Sequence, residues 1–344
     1  MNIGSVIAPH LTSSIEKLTV IPLSDFNIFS ADSLPTEGFD LGFGVTVEDF
    51  SERMAKLSLG VWERAFSQDQ MKEIKNWSTC LVHKYQAEPV IGNAENASSN
   101  FLGYVIAHLR LIAPNRTSRN DELYLQVTRP GELDPFRCSK SPFWPQIHLT
   151  DCEKVICGVT LKHLETLKLW MPWIVEFCND WRSHYPLWVS LDFLEKFYLE
   201  YTSFRARHLF RVMALEALLC SEHDKDYGRQ ALKSKIPKLL GWHFDLYGPY
   251  QNDSIASRLP ELALTDNLID DMYTLRNKVA HGDQMPPDWL KKYRSGFVDE
   301  DVSYASVLCE AAGSMLRLIW LKIISDRLQK TFADKKRMQK FFRE

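Results

Sequence analysis

Glycine is scarce in this chain, with 15 in 344 residues, and so is any surplus of one charge: 41 Lys and Arg stand against 44 Asp and Glu, for a formal net charge of −3. A polypeptide that is 45% hydrophobic and holds ten tryptophans beside so few glycines is neither disordered nor of low complexity, and it is long enough to bury two cores. The near balance of charge excludes a surface coated throughout for nucleic acid, so any RNA contact must be local. The seven cysteines (Cys80, Cys138, Cys152, Cys157, Cys178, Cys220 and Cys309) are odd in number and scattered, which excludes a disulfide framework and fits reduced thiols in a core. One constellation, His148, Cys152, Cys157 and His163, has zinc-binding residue types without the spacing of a standard knuckle. Thr150-Asp151-Cys152-Glu153 reads instead as a capping box that turns Cys152 and Cys157 to different faces of a helix. No metal and no cofactor are expected. Residues 1–16 lack a basic segment followed by an apolar block, and no run approaches membrane-spanning length, so a cytoplasmic protein without membrane contact is expected.

What the chain does have is helical periodicity. It predicts a mainly α protein: a mostly helical N-terminal domain with a few short strands over 1–185, then a helical bundle over 186–344. In the first, helices are expected over 47–59, 67–86 (opened by Ser67 and Gln70 as a capping box) and 98–112. Residues 122–128 alternate like a strand, and 131–145, with three prolines, reads as a loop. Pro172 should break the helix that follows Leu161, and 183–186 marks the domain boundary. In the second domain, helices are expected over 191–220, 266–282 and 303–329, the last with Val307, Leu308, Ala311, Met315, Leu318 and Ile319 on one side. Two features are open to two readings each. Trp170, Trp173, Trp181 and Trp188 are either core or a surface for stacking bases, and Arg327, Lys330, Lys335, Lys336, Arg337, Lys340 and Arg343 are either a phosphate-binding patch or a solvated tail.

The stretch Arg276-Asn277-Lys278-Val279-Ala280-His281-Gly282 closes the 266–282 helix. Leu268, Ile269, Met272, Tyr273, Val279 and Ala280 form its apolar stripe, and Arg276 falls inside that stripe. An unpaired charge there is costly. His281 stands four residues after Asn277, within reach of an amide to imidazole hydrogen bond, and Gly282 is a natural left-handed stop before Pro286 and Pro287. A second misplaced charge lies upstream in Ala214-Leu215-Glu216-Ala217-Leu218-Leu219, where the helical neighbours of Glu216 are Val212, Met213, Leu219 and Cys220. A carboxylate so surrounded calls for a cation. Arg276 is the first candidate; Arg205, Arg207 and Arg211 are alternatives on the same helix, and the remaining reading is that Glu216 reaches solvent at a helix edge.

These segments, with 231–240 between them and the final helix after them, resemble the Apea-like HEPN family in residue pattern and order. The marks are the Ala-Leu-Glu-Ala-Leu-Leu helix end at 214–219, Leu239-Leu240, and Leu275-Arg276-Asn277 followed by His281-Gly282. Residues 104–112 and His184-Tyr185-Pro186-Leu187 resemble, less specifically, the helical region that often precedes this domain. The resemblance implies a helical bundle that dimerises, with the Arg and His motifs of two protomers facing one cleft. It also implies a metal-independent endoribonuclease, toxin-like or acting in phage defence, with RNA as substrate and an antidote or regulatory protein as a further partner. Arg276, Asn277 and His281 take the catalytic positions, with Glu216 and Gly282 in support. An arginine stays charged and forks onto phosphate, while histidine exchanges protons near neutrality, which suits attack by the ribose 2′-hydroxyl. The alternative is a catalytically silent HEPN module that binds RNA or protein.

Overall fold

The computed structural model describes residues 15–23, 34–50, 79–87, 93–113, 115, 122–129, 132–139, 158–198, 203–221, 227–241, 266–290, 292–294 and 301–343. The chain is mainly helical, with an antiparallel sheet in its N-terminal part. It divides into two compact units, the described residues up to Asp180 forming one and those from Trp181 onward the other.

The N-terminal unit departs from the expected mostly helical domain with a few short strands. It is built on a six-stranded sheet of β1 (Ile15–Leu23), β2 (Phe39–Gly42), β3 (Val45–Asp49), β4 (Thr79–Ala87), β5 (Glu122–Arg129) and β6 (Glu132–Ser139), in the order β2-β3-β4-β1-β5-β6. Every pairing is antiparallel, and β1 and β4 match along nine residues from Ile15↔Ala87 to Leu23↔Thr79. The helix expected over 67–86 is a strand from Thr79 onward; its earlier part lies outside the described residues. Thr79 to His83 are all buried, so the inner strand shows no alternation until the exposed Lys84 and Gln86. Residues 45–49, partly in the helix expected over 47–59, are β3. The expected loop at 131–145 holds β6, an outermost strand with a register shift at its Leu125↔Pro135 pairing. An edge with a bulge is where a sheet tolerates a residue without an N–H.

Among the described residues this unit also holds two helices, α1 (Asn93–Ile112) and α2 (Leu161–Asn179), α1 packing on β1, β4 and α2. A buried ion pair ties Lys17 of β1 to Glu95 of α1 at 2.5 Å. Beside it, Ser98 Oγ donates to Thr19 Oγ1 (2.8 Å) and contacts His83 Nδ1 (2.7 Å). Thr160 caps α2, its hydroxyl accepting from the His163 N–H while its own N–H donates to His163 Nδ1. Pro172 does not break α2 as expected. A mid-helix proline costs about 3 kcal/mol, whereas each large apolar side chain buried beyond it contributes about 1.5–3 kcal/mol. Beyond it Ile174 and Phe177 are fully buried and Trp173 nearly so, which settles the balance, and Trp170, also nearly buried, joins Trp173 in the core.

The second unit is a helical assembly of α3 (Tyr185–Phe197), α4 (Phe204–Leu219), α5 (Tyr227–Leu240), α6 (Asp266–His281), α7 (Pro287–Leu290), α8 (Tyr304–Ser325), α9 (Gln329–Ala333) and α10 (Lys335–Arg343), with a short hairpin of β7 (Lys292–Arg294) and β8 (Asp301–Ser303) before α8. The single helix expected over 191–220 is two, because Ser203 caps a new start by accepting from the Ala206 N–H. α4 packs on α3, α5, α6 and α8. α8 is buried around nearly its whole circumference, Leu308, Ala312, Met315, Leu316, Ile319 and Trp320 included, which marks a central helix rather than the one-sided member expected. Arg211 lies fully buried between α4 and α8, Nη1 donating to the Cys309 carbonyl at 2.6 Å, so it does not serve Glu216. The C-terminal segment is a docked helix and not a fraying tail: Met338 and Phe342 are buried and Lys335 Nζ donates to the Ala217 carbonyl, while Arg327, Lys330, Lys336, Arg337, Lys340 and Arg343 are exposed to solvent. Lys235 of α5 likewise donates from Nζ to Leu219 O at 2.6 Å. Trp181 and Trp188 pack with the half-exposed Tyr185 at the start of this unit. Among the described residues, no helix is long and apolar enough to cross a membrane.

Candidate functional site

Helix α6 forms because Leu268, Ile269, Met272, Tyr273 and Leu275 recur at helical spacing and are buried. Its end is a Schellman turn: Gly282 takes φ +74°, its N–H donates to Val279 O, and the Asp283 N–H donates to Lys278 O at 2.8 Å. The buried face turns toward Leu275 rather than continuing to Ala280, which is exposed, with Val279 only half-buried. Arg276 therefore sits at the edge of the stripe, not within it, and its side chain keeps 24% exposure.

The cation that meets Glu216 is Arg276, with Nη2 3.3 Å from Oε2. Tyr273, which its place in the apolar stripe marks only as a core residue, takes the other carboxylate oxygen: its hydroxyl donates to Oε1 at 2.8 Å. Burial, then the hydrogen bond to Glu216 and its negative charge, pushes the Tyr273 phenol up to about 12. The same ring carries two guanidinium groups, those of Arg276 and Arg229, each 5.5 Å from the centroid. Arg229 Nη2 also donates to Thr274 Oγ1 at 3.1 Å. Gly228 makes the arrangement possible, since a Cβ there would stand 2.5 Å from Glu216 Oε1 and 2.8 Å from the Tyr273 hydroxyl. A lone glycine in a helix was the available sign of such a close approach.

Asn277 does not hold the imidazole as expected. Its Oδ1 accepts from Arg276 Nη1 at 3.2 Å, and among the described residues no hydrogen bond joins Asn277 to His281. His281 is exposed. Five residues of helix place it about 7.5 Å along the axis and roughly 140° around from Arg276. Arg276 and Asn277 are thus brought together with Glu216, and His281 stands apart on the surface one turn on.

Among the described residues, no three His, Cys, Asp or Glu side chains gather as metal ligands. Of the constellation weighed for zinc, His148, Cys152 and Cys157 lie outside the described residues, as does the capping box at Thr150. The chain matches no protein-family model, no curated protein and no solved structure.

Proposed function

We propose that this chain is a HEPN-type endoribonuclease that cleaves RNA without a metal, through the 2′-hydroxyl of its substrate. The observation that carries the reading is that the last two turns of one helix, α6, carry both Arg276, held by Glu216 and Asn277, and an exposed histidine on another side. A histidine base takes the 2′-hydroxyl proton, O2′ bonds to phosphorus, and charge grows on the phosphorane, where Arg276 opposes it. The P–O5′ bond then breaks as a histidine acid protonates O5′. The products are a 2′,3′-cyclic phosphate and a 5′-hydroxyl, so DNA is not a substrate. Glu216 and Tyr273 are positioning residues that keep the arginine in one rotamer.

One histidine per chain faces two proton transfers, and Arg276 and His281 point to different sides of α6. A homodimer with a two-fold contact near the α6 ends supplies both needs, which the HEPN resemblance also implies. The test is purified protein with total RNA in EDTA, beside His281→Ala. Loss of cleavage by 10²–10⁴-fold in the variant, with cyclic or 3′-phosphate ends, is expected; equal cleavage by the variant, 5′-phosphate ends or a need for added metal would sink the reading.

A second reading has its own observation. Arg276 is already neutralised by Glu216, and His281 touches neither Arg276 nor Asn277 among the described residues, which favours a silent module that binds RNA or a protein without cleaving.

A further inference from the structure

A site for polyanionic RNA needs positive charge that the protein has not already spent on itself, and the arginine of the motif has little left. Arg276 faces the Glu216 carboxylate at 3.3 Å and the Asn277 amide oxygen at 3.2 Å. Lys233, one turn after Arg229 on α5, is likewise neutralised by Asp270 at 2.7 Å. Arg229 is different. It shares the Tyr273 ring with Arg276 at the same 5.5 Å, and its partners are a hydroxyl, Thr274 Oγ1, and that aromatic face. Among the described residues it meets no carboxylate, and the first turn of α5, where it stands, contains no acidic side chain. A guanidinium stacked on an aromatic and anchored by one N–H is oriented in advance, with further N–H groups left to fork onto phosphate oxygens.

We infer that Arg229 is the residue that grips the RNA backbone at this site, binding a phosphate next to the one Arg276 serves. The inference rests on the ribonuclease reading for the identity of the polyanion, and it goes beyond that reading by placing the net binding charge on α5, outside the motif. Tyr273 then acts as a shared platform: its hydroxyl holds Glu216, and through it Arg276, while its face sets Arg229.

The probe is a fluorescent single-stranded 2′-O-methyl oligoribonucleotide, which lacks the nucleophile and so reports binding alone, followed by anisotropy across a salt series. Arg229→Ala is expected to weaken binding about tenfold and to lower the slope of log affinity against log salt by about 0.7, the loss of one phosphate contact on a single strand. Arg229→Lys should recover most of the slope but only part of the affinity, and Lys322→Ala, which removes a cation paired with Asp326 on α8, should change neither by as much. Circular dichroism of each variant keeps a folding defect from passing as a binding one. Four outcomes are distinct. Weaker binding by Arg229→Ala in a protein that cleaves RNA supports both readings, and weaker binding in a protein that binds but never cleaves keeps Arg229 while ending the ribonuclease proposal. Unchanged affinity and slope in Arg229→Ala, in a protein that cleaves, overturns the inference and leaves the ribonuclease standing. A wild-type chain that neither binds nor cleaves overturns both.

Discussion

At the scale of single residues, the site is a balance between one carboxylate and the groups that crowd it. Glu216 is served twice, by the Tyr273 hydroxyl and by Arg276, because α5 presents a glycine rather than a side chain at position 228. Gly228→Ala should therefore push the carboxylate off Tyr273, at a stability cost of about 1–3 kcal/mol. The Tyr273 ionisation should fall from about 12 toward the ordinary value near 10 as its acceptor leaves. Ultraviolet difference titration against Tyr273→Phe reads that shift; an unmoved phenol would show that the glycine is not needed for the contact. Loss of the carboxylate in Glu216→Ala leaves Arg276 half-buried and unpaired. Because Arg276 keeps 24% exposure, water offsets much of the penalty, and a loss on the order of 1–2 kcal/mol in urea unfolding is expected rather than the larger cost of a fully buried pair.

At the scale of elements, what positions α6 is the packing of α4 against α8. Arg211 crosses that contact with its guanidinium against Gly313, where a Cβ would come within 3.0 Å of Cζ. Two effects oppose each other in Gly313→Ala: the helix gains about 1 kcal/mol from the better helix former, and crowding in a filled core costs about 1–3 kcal/mol. The second should prevail, lowering the urea midpoint, and Gly313→Leu should lower it much further; an alanine variant more stable than the parent would show that Arg211 yields without cost. The C-terminal helices belong to this scale too. Lys335 and Lys235 both donate to the last carbonyls of α4, the helix end that also bears Glu216. Cations satisfy those orphan acceptors and oppose the negative end of the dipole.

At the scale of the whole molecule, acid should be the condition that tests both units at once. His83 in the sheet, His108 on α1 and His208 on α4 are each held at about 4 by burial, with the nearby Arg211 charge adding to the effect at His208. The ordinary histidine value is about 6.5. Between the two, the unfolded chain takes up protons that the folded one refuses. Stability is therefore whole above about pH 6.5 and falls as pH drops toward 4, by on the order of 3 kcal/mol for each histidine. Urea titrations at pH 7.5 and 5 measure the slope, and His208→Leu should flatten it; an identical slope in that variant would mean that the proton enters elsewhere. Assembly gives the other whole-molecule prediction. If a phosphate takes Arg276 from one chain and His281 from another, co-refolded Arg276→Ala and His281→Ala proteins should regain part of the RNA cleavage that neither shows alone. A dead mixture would mean a site within one chain, and full activity from a demonstrated monomer would end the dimer proposal.

Local spacing alone determined α6 and its stop. Helical recurrence of Leu268, Met272 and Tyr273 and a glycine at 282 specify a helix and its end without reference to the rest of the chain. It also marked Glu216 and Arg276 as charges in need of partners, because a charge among apolar helical neighbours is visible in one dimension. The choice of Arg276 over Arg211 was tertiary, for α8 lies close enough to take Arg211 through a backbone carbonyl. The sheet was tertiary as well. A strand buried from Thr79 through His83 loses the alternation by which a strand is read, and β6 keeps its Pro135 at a sheet edge that only the strand order reveals. The position of Arg229 on the Tyr273 ring was equally hidden, since 44 residues separate them and only the packing of α5 on α6 brings them together. Burial on one face of one helix leaves a periodic trace in the sequence; burial shared between distant elements leaves none, because no local spacing records which segments meet.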